Sequence, residues 1–292
     1  MVDSRLVRIG FLTQLSWRRY GRYWVELVKA AGLEPAFAEP SQVREAWQDA
    51  DLVEVPTLAF RLAAAQARAL ADCQLIVVPR LVRESEVARG AGQDAWVMDL
   101  ATQLRSTLPG LPPLHAVPSW FDETVEQHSV AFLQSLIHDA TSVRRALGRV
   151  RPLAKDEKAA APDLGRRTDT RNVAVLGRPW VIDETLMPLV VREGERPVGQ
   201  HLFDQNELRD EGLRFDERLV DSDAEVIGAA RLLGRRAAID SLRLVVDEEA
   251  GSDAWLANRI GKVTHKPLEV VTLQAVLADR DPVDTLLRGR ID

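Results

Sequence analysis

Short apolar runs alternate with longer amphipathic stretches along most of the chain. In the first part, the runs Leu6–Leu12 and Cys73–Val78 predict buried β-strands, because strands of a parallel sheet are covered on both faces. Between them, helical spacing of aromatic and aliphatic residues predicts a helix over Trp17–Ala31, and alanine-rich sequence predicts another over Thr57–Ala71. Strands that alternate with helices indicate an α/β fold with parallel sheets.

The same alternation returns in the second part of the chain. An apolar stripe predicts one long helix over Asp122–Val150, and a second helix is expected over Asp183–Val191. Four further apolar runs predict strands: Asn172–Leu176, Val198–Phe203, Leu242–Val246 and Leu268–Leu273.

The charged, non-periodic stretch 151–170 separates the two parts and is interpreted as a linker. We therefore predict two flavodoxin- or Rossmann-like open parallel-sheet domains that face each other across a cleft. Residues 1–120 form the first domain, 121–150 a long connecting helix, 151–170 the linker and 171–292 the second domain.

Composition narrows the function classes. The 292 residues include 38 basic and 44 acidic residues, which are interleaved, so no basic arm for nucleic acid is expected. No apolar stretch approaches the ~18 residues of a membrane span. Cys73 is the only cysteine, which excludes an internal disulfide and a cysteine-based zinc site and agrees with a cytoplasmic location. Because Cys73 lies in an apolar strand, we expect a buried thiol without a ligand role.

Ligands of open parallel sheets bind at the carboxyl ends of the strands. These ends predict a cleft, and its candidate ligand-binding residues are Glu54, Pro79, Arg80, Arg178, Pro179, Trp180, Glu249, Gly251 and Asp253. Arg80 and Arg178 are the candidate anion contacts, because guanidinium groups pair with carboxylates and phosphates. Glu54 is expected either to pair with one of these arginines and join the two domains, or to point into solvent.

No dinucleotide, P-loop, nucleophile-elbow or zinc-protease motif occurs, and the five histidines show no metal-ligand spacing. The acidic run Asp247–Glu249 either binds a cation or caps the following helix. An aromatic group near the first strand either stacks a flat ligand or packs in the core; its members are Trp17, Tyr20, Tyr23 and Trp24.

Several segments resemble the 2-hydroxyglutaryl-CoA-dehydratase-like family, also labelled CoA protein activases. The most specific is Leu75–Val82, a strand followed by Pro-Arg-Leu-Val. The others are Arg8–Phe11 with the aromatic stretch Trp17–Trp24, then Val173–Trp180, and Gly251–Asp253 with Lys266–Leu273. The resemblance implies flavodoxin-like domains whose loop cysteines hold a 4Fe–4S cluster, from which an electron passes to a hydroxyacyl-CoA.

This chain departs from that family at the cluster ligands. Glu54, the segment near Gly92, and Ala250 stand where the family has cysteines. We therefore expect a non-redox, cluster-less homologue without a cofactor, acting as a scaffold or as a protein that binds a small anionic ligand or a protein partner. The alternative is an enzyme acting on a CoA thioester or another anionic small molecule, with a cation held by Glu54, Glu248, Glu249 and Asp253. No nucleic acid or membrane partner is expected, and the oligomeric state, including a homodimer, is left open.

Overall fold

Eight strands form two four-stranded sheets in this computed structural model, which describes residues 7–55, 57–89, 93–155 and 170–287. The first sheet has the order β2-β1-β3-β4, with β1 (Arg8–Phe11), β2 (Glu34–Phe37), β3 (Leu75–Arg80) and β4 (Leu114–Pro118). The second has the order β6-β5-β7-β8, with β5 (Arg171–Leu176), β6 (Glu195–Gly199), β7 (Ser241–Val246) and β8 (Leu268–Thr272). All pairings are parallel, and the α/β prediction of two open parallel sheets is confirmed.

Helices connect the strands of both sheets. Those of the first part are α1 (Trp17–Ala30), α2 (Pro40–Trp47), α3 (Ala50–Val53), α4 (Leu58–Ala69), α5 (Ala95–Met98), α6 (Leu100–Thr107), α7 (Val125–Gln134) and α8 (Ala140–Val150). Those of the second are α9 (Gln205–Phe215), α10 (Asp221–Arg235), α11 (Gly251–Val263), α12 (Leu273–Leu277) and α13 (Pro282–Leu286). Short 3₁₀ turns cover Glu84–Arg89, Arg151–Leu153, Met187–Leu189 and Gln200–Leu202. No helix among the described residues is long and apolar enough to cross a membrane.

The single helix expected over 121–150 is instead two helices, α7 and α8. Asp139 starts the second one, because its carboxylate accepts hydrogen bonds from the amides of Thr141 and Ser142. Both helices pack with α1 on one face of the first sheet. This region is therefore a layer of the first domain and not a connecting element.

Two further predictions need correction. Residues 183–191 form turns and only a short 3₁₀ segment, because the Asp183 carboxylate accepts hydrogen bonds from the amides of Thr185 and Leu186, and Pro188 interrupts the helical pattern. The strand expected over Val198–Phe203 begins earlier, at Glu195, and ends at Gly199. Most of the expected linker, residues 156–169, lies outside the described residues, as does Gly92.

The two sheets share one hydrophobic cluster. In β3, Leu75 and Val77 face α1, α7 and α8, whereas Ile76 and Val78 face this shared cluster, as the two-residue period of a strand requires. The cluster extends into the second domain through Trp180, whose ring centroid lies 5.6 Å from that of Trp96. The domains are therefore joined by apolar packing.

The chain also returns from the second sheet to the first. Helix α13 packs against α2, and Arg44 pairs with Asp284. The buried side-chain amide of Gln14 donates a hydrogen bond to the carbonyl of Leu286. The predicted second domain, 171–292, thus includes a described C-terminal part that covers the first domain.

Candidate functional site

A cavity of about 870 Å³ lies between the two domains, and we call it the main cavity. Its walls come from loops at the carboxyl ends of the strands: 14–19 after β1, Phe121 after β4, 179–184 after β5 and 201–206 after β6. Residues 152–155 close one side. The predicted placement of a cleft at these strand ends therefore agrees with the structure, as expected for open parallel sheets.

Five aromatic side chains line the main cavity: Trp17, Tyr23, Phe121, Trp180 and Phe203. The rings of Tyr23 and Phe121 meet edge to face, with centroids 5.4 Å apart. All four members of the aromatic group noted in the sequence are buried core residues, and two of them, Trp17 and Tyr23, also border the cavity. Trp17, Tyr23, Trp180 and Phe203 are buried, so Phe121, which is half-buried, presents the most open ring to the cavity.

Charged side chains of α1 cross the cleft to acids of the second domain. Arg19 makes a bidentate pair with Glu225, with N–O distances of 2.8 and 2.7 Å. Arg18 pairs with Glu184 at 2.8 Å, and both side chains are more than half exposed. The partly buried Arg19 pair links α1 to α10, while the exposed pair contributes little to stability.

Lys155 also lines the main cavity and is exposed. His201 lies two residues after the end of β6 on the same wall, and its Nδ1 is buried without a hydrogen-bond partner in the described structure. Burial lowers the pKa of His201, so the imidazole is neutral near pH 7.

A smaller cavity of about 80 Å³, which we call the side cavity, adjoins the main cavity. The two share wall residues, among them Ser16, Arg19 and Phe121. The loops after β3 and β4 and the start of α10 complete the side cavity, with Arg83, Trp120, Arg209, Asp221 and Ser222 among the lining residues. It therefore lies at the carboxyl ends of β1 and β3, between which the strand order of the first sheet reverses.

Arg178 is placed at a strand end as predicted, but it is only 2% exposed and does not face the main cavity. Its Nη2 lies 3.0 Å from Asp223 and its Nε 2.9 Å from Asp253, and Nη1 donates to Gln93 of the first domain at 2.7 Å. Burial raises the pKa of Asp253 to about 6, although the Arg178 charge opposes the rise. Arg178 is thus held in a buried ion-pair cluster and is unsuited to bind an exogenous anion.

Pro179 and Trp180 line the main cavity, as predicted, but the remaining predicted site residues lie elsewhere. Glu54 and Glu249 are exposed, and Arg80 pairs with Glu84 at 2.8 Å. Pro79 is a buried strand residue, and Gly251 begins α11. Of the two alternatives stated for Glu54, the structure agrees with the solvent-exposed one: Glu54 is exposed, and Arg80 and Arg178 have other acidic partners.

The strand ends near α11 do not line the main cavity, because direct contacts between the domains fill this place. Ser252 donates a hydrogen bond to Asp94 of the first domain at 3.0 Å. Asp247 accepts one from the amide of Leu58 at the start of α4, at 2.7 Å. Within the acidic run, Asp247 therefore joins the domains, whereas Glu248 and Glu249 are exposed. The described residues contain no group of three or more His, Cys, Asp or Glu that could hold a metal ion.

A further buried acid, Glu86, was not anticipated from the sequence. Its two carboxylate oxygens accept hydrogen bonds from the amides of Arg83 and Asp221, at 2.9 Å each. Burial, with a hydrogen bond to the Asp221 carboxyl, raises the pKa of Glu86 to about 7. Asp221 in turn pairs with Arg83 at 2.8 Å, so this group joins the two domains beside the side cavity.

Cys73 is buried, as predicted, and precedes β3 at the amino end of that strand. It therefore lies on the opposite edge of the first sheet from the main cavity. Burial raises the pKa of the thiol.

No family model matches the chain, and no curated protein matches it significantly. Among solved structures, the chain is similar to the glycosyltransferase SnogD from Streptomyces nogalater, with 15% sequence identity and a TM-score of 0.22. That match covers 97% of this chain and 84% of the other. A similarity at this TM-score gives no information about function, and the fold class follows from the strand order alone.

Proposed function

We propose that this chain is a ligand-binding protein that holds a small organic anion with a flat ring in the main cavity. The observation that carries the proposal is the cavity itself, which lies at the carboxyl ends of four strands and has five aromatic side chains on its walls. Its volume of about 870 Å³ is within the range of small-molecule sites. The ring would pack on Phe121, the most exposed of the five.

Cations on the same wall support the choice of an anion. The Arg18–Glu184 pair is exposed, so an anionic ligand can replace Glu184 at Arg18 at a cost of about 1 kcal/mol or less. Lys155 offers a second ammonium group that is already at the surface.

Titration calorimetry with coenzyme A and with ADP tests the proposal, since both are organic anions that carry a flat base. The charge-reversal variant Arg18→Glu should bind at least one of them about tenfold more weakly than the wild type. Arg192→Glu is the matched control, because Arg192 also forms an exposed ion pair but lies outside the cavity. Absence of saturable binding to either compound, or equal binding by the two variants, would contradict the proposal.

We also propose that the chain is a cluster-free, cytoplasmic relative of the CoA-dehydratase-like proteins. The support is the set of matching sequence segments and the single cysteine, since a cluster of this kind needs several thiolates. Anaerobic incubation with ferrous iron and sulfide should leave the protein colourless. A stable brown protein after desalting would refute this.

A second candidate function is an enzyme that acts on an anionic thioester, favoured by one observation, the neutral His201 on the cavity wall. In that function, His201 accepts a proton from water as the water oxygen bonds to the thioester carbonyl carbon, and the thiolate leaves and is then protonated. Release of free thiol from acetyl-CoA, abolished in His201→Gln, would support it. Equal thiol release by wild type, variant and buffer would exclude it for that substrate.

A further inference from the structure

We propose that β8 is the edge at which this chain forms a dimer, by pairing antiparallel with β8 of a second copy. The two four-stranded second sheets would then form one continuous sheet of eight strands. Strand β8 is an outer strand, with β7 as its neighbour on one side. The inference goes beyond the proposed function and does not depend on a ligand of the main cavity.

The backbone of β8 has unused hydrogen-bonding groups on its outer side. The amide of Leu242 in β7 donates to the carbonyl of Pro267, just before β8. Because the bonds of a parallel ladder alternate along the strand, every second residue of β8 turns its N–H and C=O away from β7. Within the described part of the chain, the N–H and C=O of Val270 have no partner on this side. The residues that face outward are Leu268, Val270 and Thr272.

The other three outer strands each have a proline at a position that faces away from its sheet. These prolines are Pro35 in β2, Pro118 in β4 and Pro197 in β6. A proline offers no N–H to an approaching strand, so it opposes pairing at an edge. Strand β8 contains no proline. Its edge therefore differs from the others in the way expected of a strand that pairs.

Exposure also distinguishes β8. It is the one described strand without a buried residue, although three of its five residues are aliphatic. Val270, at the centre of the strand, is 46% exposed. An open edge with an apolar side chain at its centre is an aggregation risk in a lone chain. In the proposed dimer, the two Val270 side chains lie opposite each other and cover one another.

The outward groups of β8 are arranged symmetrically, which favours a second copy over an unrelated strand. In an antiparallel pair centred on Val270, the two copies of this residue exchange both of their N–H···O bonds. Leu268 of each copy then pairs with Thr272 of the other. A two-fold axis at Val270 therefore uses all the residues of β8 that face outward.

The charges of β8 agree with this arrangement. Glu269 is the one charged residue of the strand, and in the antiparallel register it lies opposite Val271 of the other copy. A parallel in-register pair would instead bring the two Glu269 side chains together, which is unfavourable. The carboxylate of Glu269 is already compensated by the buried Arg243, at 2.6 Å. The antiparallel dimer therefore brings no like charges directly opposite each other.

The side of α11 next to this edge carries small residues. A Cβ added at Gly261 would lie 3.9 Å from Cδ2 of Leu268, which places this part of the helix beside the start of β8. Ala254 and Ala257 precede Gly261 by seven and four residues, so they lie on the same side of the helix. Small side chains there leave space for the second copy.

Pairing at β8 also ends at two copies. The outer strands of the combined sheet are the two β6 strands, and each has Pro197 at an outward position. No further strand is therefore expected to add, and the assembly is a closed two-fold dimer.

Sedimentation equilibrium of the full chain tests the proposal, and the wild type should have the mass of two chains at micromolar concentrations. Val270→Lys keeps the backbone N–H but places two ammonium groups opposite each other, so it should weaken the dimer about tenfold. Val270→Glu should do the same with two carboxylates. Val53→Lys is the matched control and should remain a dimer, because Val53 is also an exposed valine, at 57%, but lies on α3.

An equimolar mixture of Val270→Lys and Val270→Glu tests the register. The introduced ammonium and carboxylate groups would face each other across the two-fold axis, so the mixture should dimerise about as tightly as the wild type. Because Val270 is exposed, each variant should keep the circular dichroism spectrum of the wild type. A monomeric wild type would refute a second copy as the occupant of this edge. A dimer that Val270→Lys weakens no more than Val53→Lys, or a mixture that stays monomeric, would also overturn the proposal.

Discussion

At the scale of single residues, Arg178 is the clearest case of a charge whose role is set by burial. A guanidinium that is only 2% exposed would be costly alone, and Asp223, Asp253 and Gln93 compensate it. Since the partners come from both domains, the cluster fixes the relative position of β5, α10, α11 and the segment before α5.

Replacement of Arg178 by methionine should lower the free energy of unfolding by about 3–5 kcal/mol, because it leaves two carboxyls buried without their cation. Urea denaturation at pH 8, above the pKa of about 6 of Asp253, measures this loss. Arg192→Met removes an exposed arginine of an ion pair and should change stability by about 1 kcal/mol or less. A loss for Arg178→Met as small as that of the control would show that the cluster is not stabilising.

Glu86 makes stability depend on pH. Its pKa of about 7 in the folded chain lies above the ordinary value of 4.5, so the folded state binds the proton more tightly. The stability from this group is fully present below about pH 4.5 and is lost as the pH rises through 7. Glu86→Gln should therefore reduce the fall in unfolding free energy between pH 5 and 8, by on the order of 2 kcal/mol.

The unfolding free energies of the variant and the wild type are measured at several pH values and subtracted. The contributions of Asp253 and the other acids that both proteins share cancel in this difference. Glu84→Gln is the control, since Glu84 carries the same charge two residues away and its side chain is 84% exposed. A Glu86→Gln profile parallel to that of the wild type would contradict the prediction.

The sequence located Arg178, Pro179 and Trp180 at a strand end, because an apolar run ending in Gly-Arg-Pro-Trp marks that position. It did not reveal which side chains face the cavity. A strand end fixes where the Cα atoms lie, whereas the direction of Arg178 depends on two acids from separate helices. The cavity residues of α1 were partly foreseen as aromatic, but the arginines among them gave no distinguishing signal in an arginine-rich chain.

At the scale of elements, α9 and α10 pack closely because each contributes a glycine. A Cβ added at Gly212 would lie 1.9 Å from the carbonyl oxygen of Ala224, and one added at Gly228 would lie 1.8 Å from that of Leu208. These glycines bring the two helix backbones together beneath the second sheet. Since Ser222 and Glu225 lie at the start of α10, this packing also positions one wall of the side cavity.

Gly228→Ala should destabilise the chain by about 3 kcal/mol, since neither backbone can move without disturbing the core. Gly148→Ala is the control, because Gly148 also lies inside a helix but has open space around its Cα. That change should be neutral or stabilising by about 0.5–1 kcal/mol. Thermal unfolding of both variants measures the contrast, and similar melting temperatures would refute the close-packing argument.

Element boundaries were predictable where local signals were strong. The buried apolar runs identified the central strands, because such runs fit strands covered on both faces. The break between α7 and α8 was missed, although Asp139 carries an N-cap signal, because the apolar stripe continues across it. Residues 183–191 were wrongly predicted to be helical. Their apolar side chains pack into the shared cluster from turns, so the spacing of these side chains does not indicate a helix.

At the scale of the whole molecule, the shared cluster makes the two sheets one cooperative unit. Ring contacts run from Phe60 through Trp96 to Trp180, at 5.9 and 5.6 Å between centroids. Such packing resembles a domain interior more than a mobile domain interface. Any motion that opens the main cavity must therefore occur without separating these rings.

We expect a single calorimetric unfolding transition whose calorimetric and van't Hoff enthalpies agree. Trp96→Ala should lower the melting temperature by an amount equivalent to about 3–5 kcal/mol. Trp255→Ala should leave it nearly unchanged, because Trp255 is 45% exposed. Two resolved transitions in the wild type would show instead that the sheets unfold separately.

The return of α13 to the first domain has a consequence for synthesis on the ribosome. Gln14 is buried, yet its side-chain amide donates to the carbonyl of Leu286, which is translated 272 residues later. At about 5–20 residues per second, the first sheet is complete well before that acceptor emerges. The Gln14 amide in the nascent first domain therefore spends many seconds without this acceptor and without the cover of α13. Native packing around β1 is reached only after translation of the second sheet.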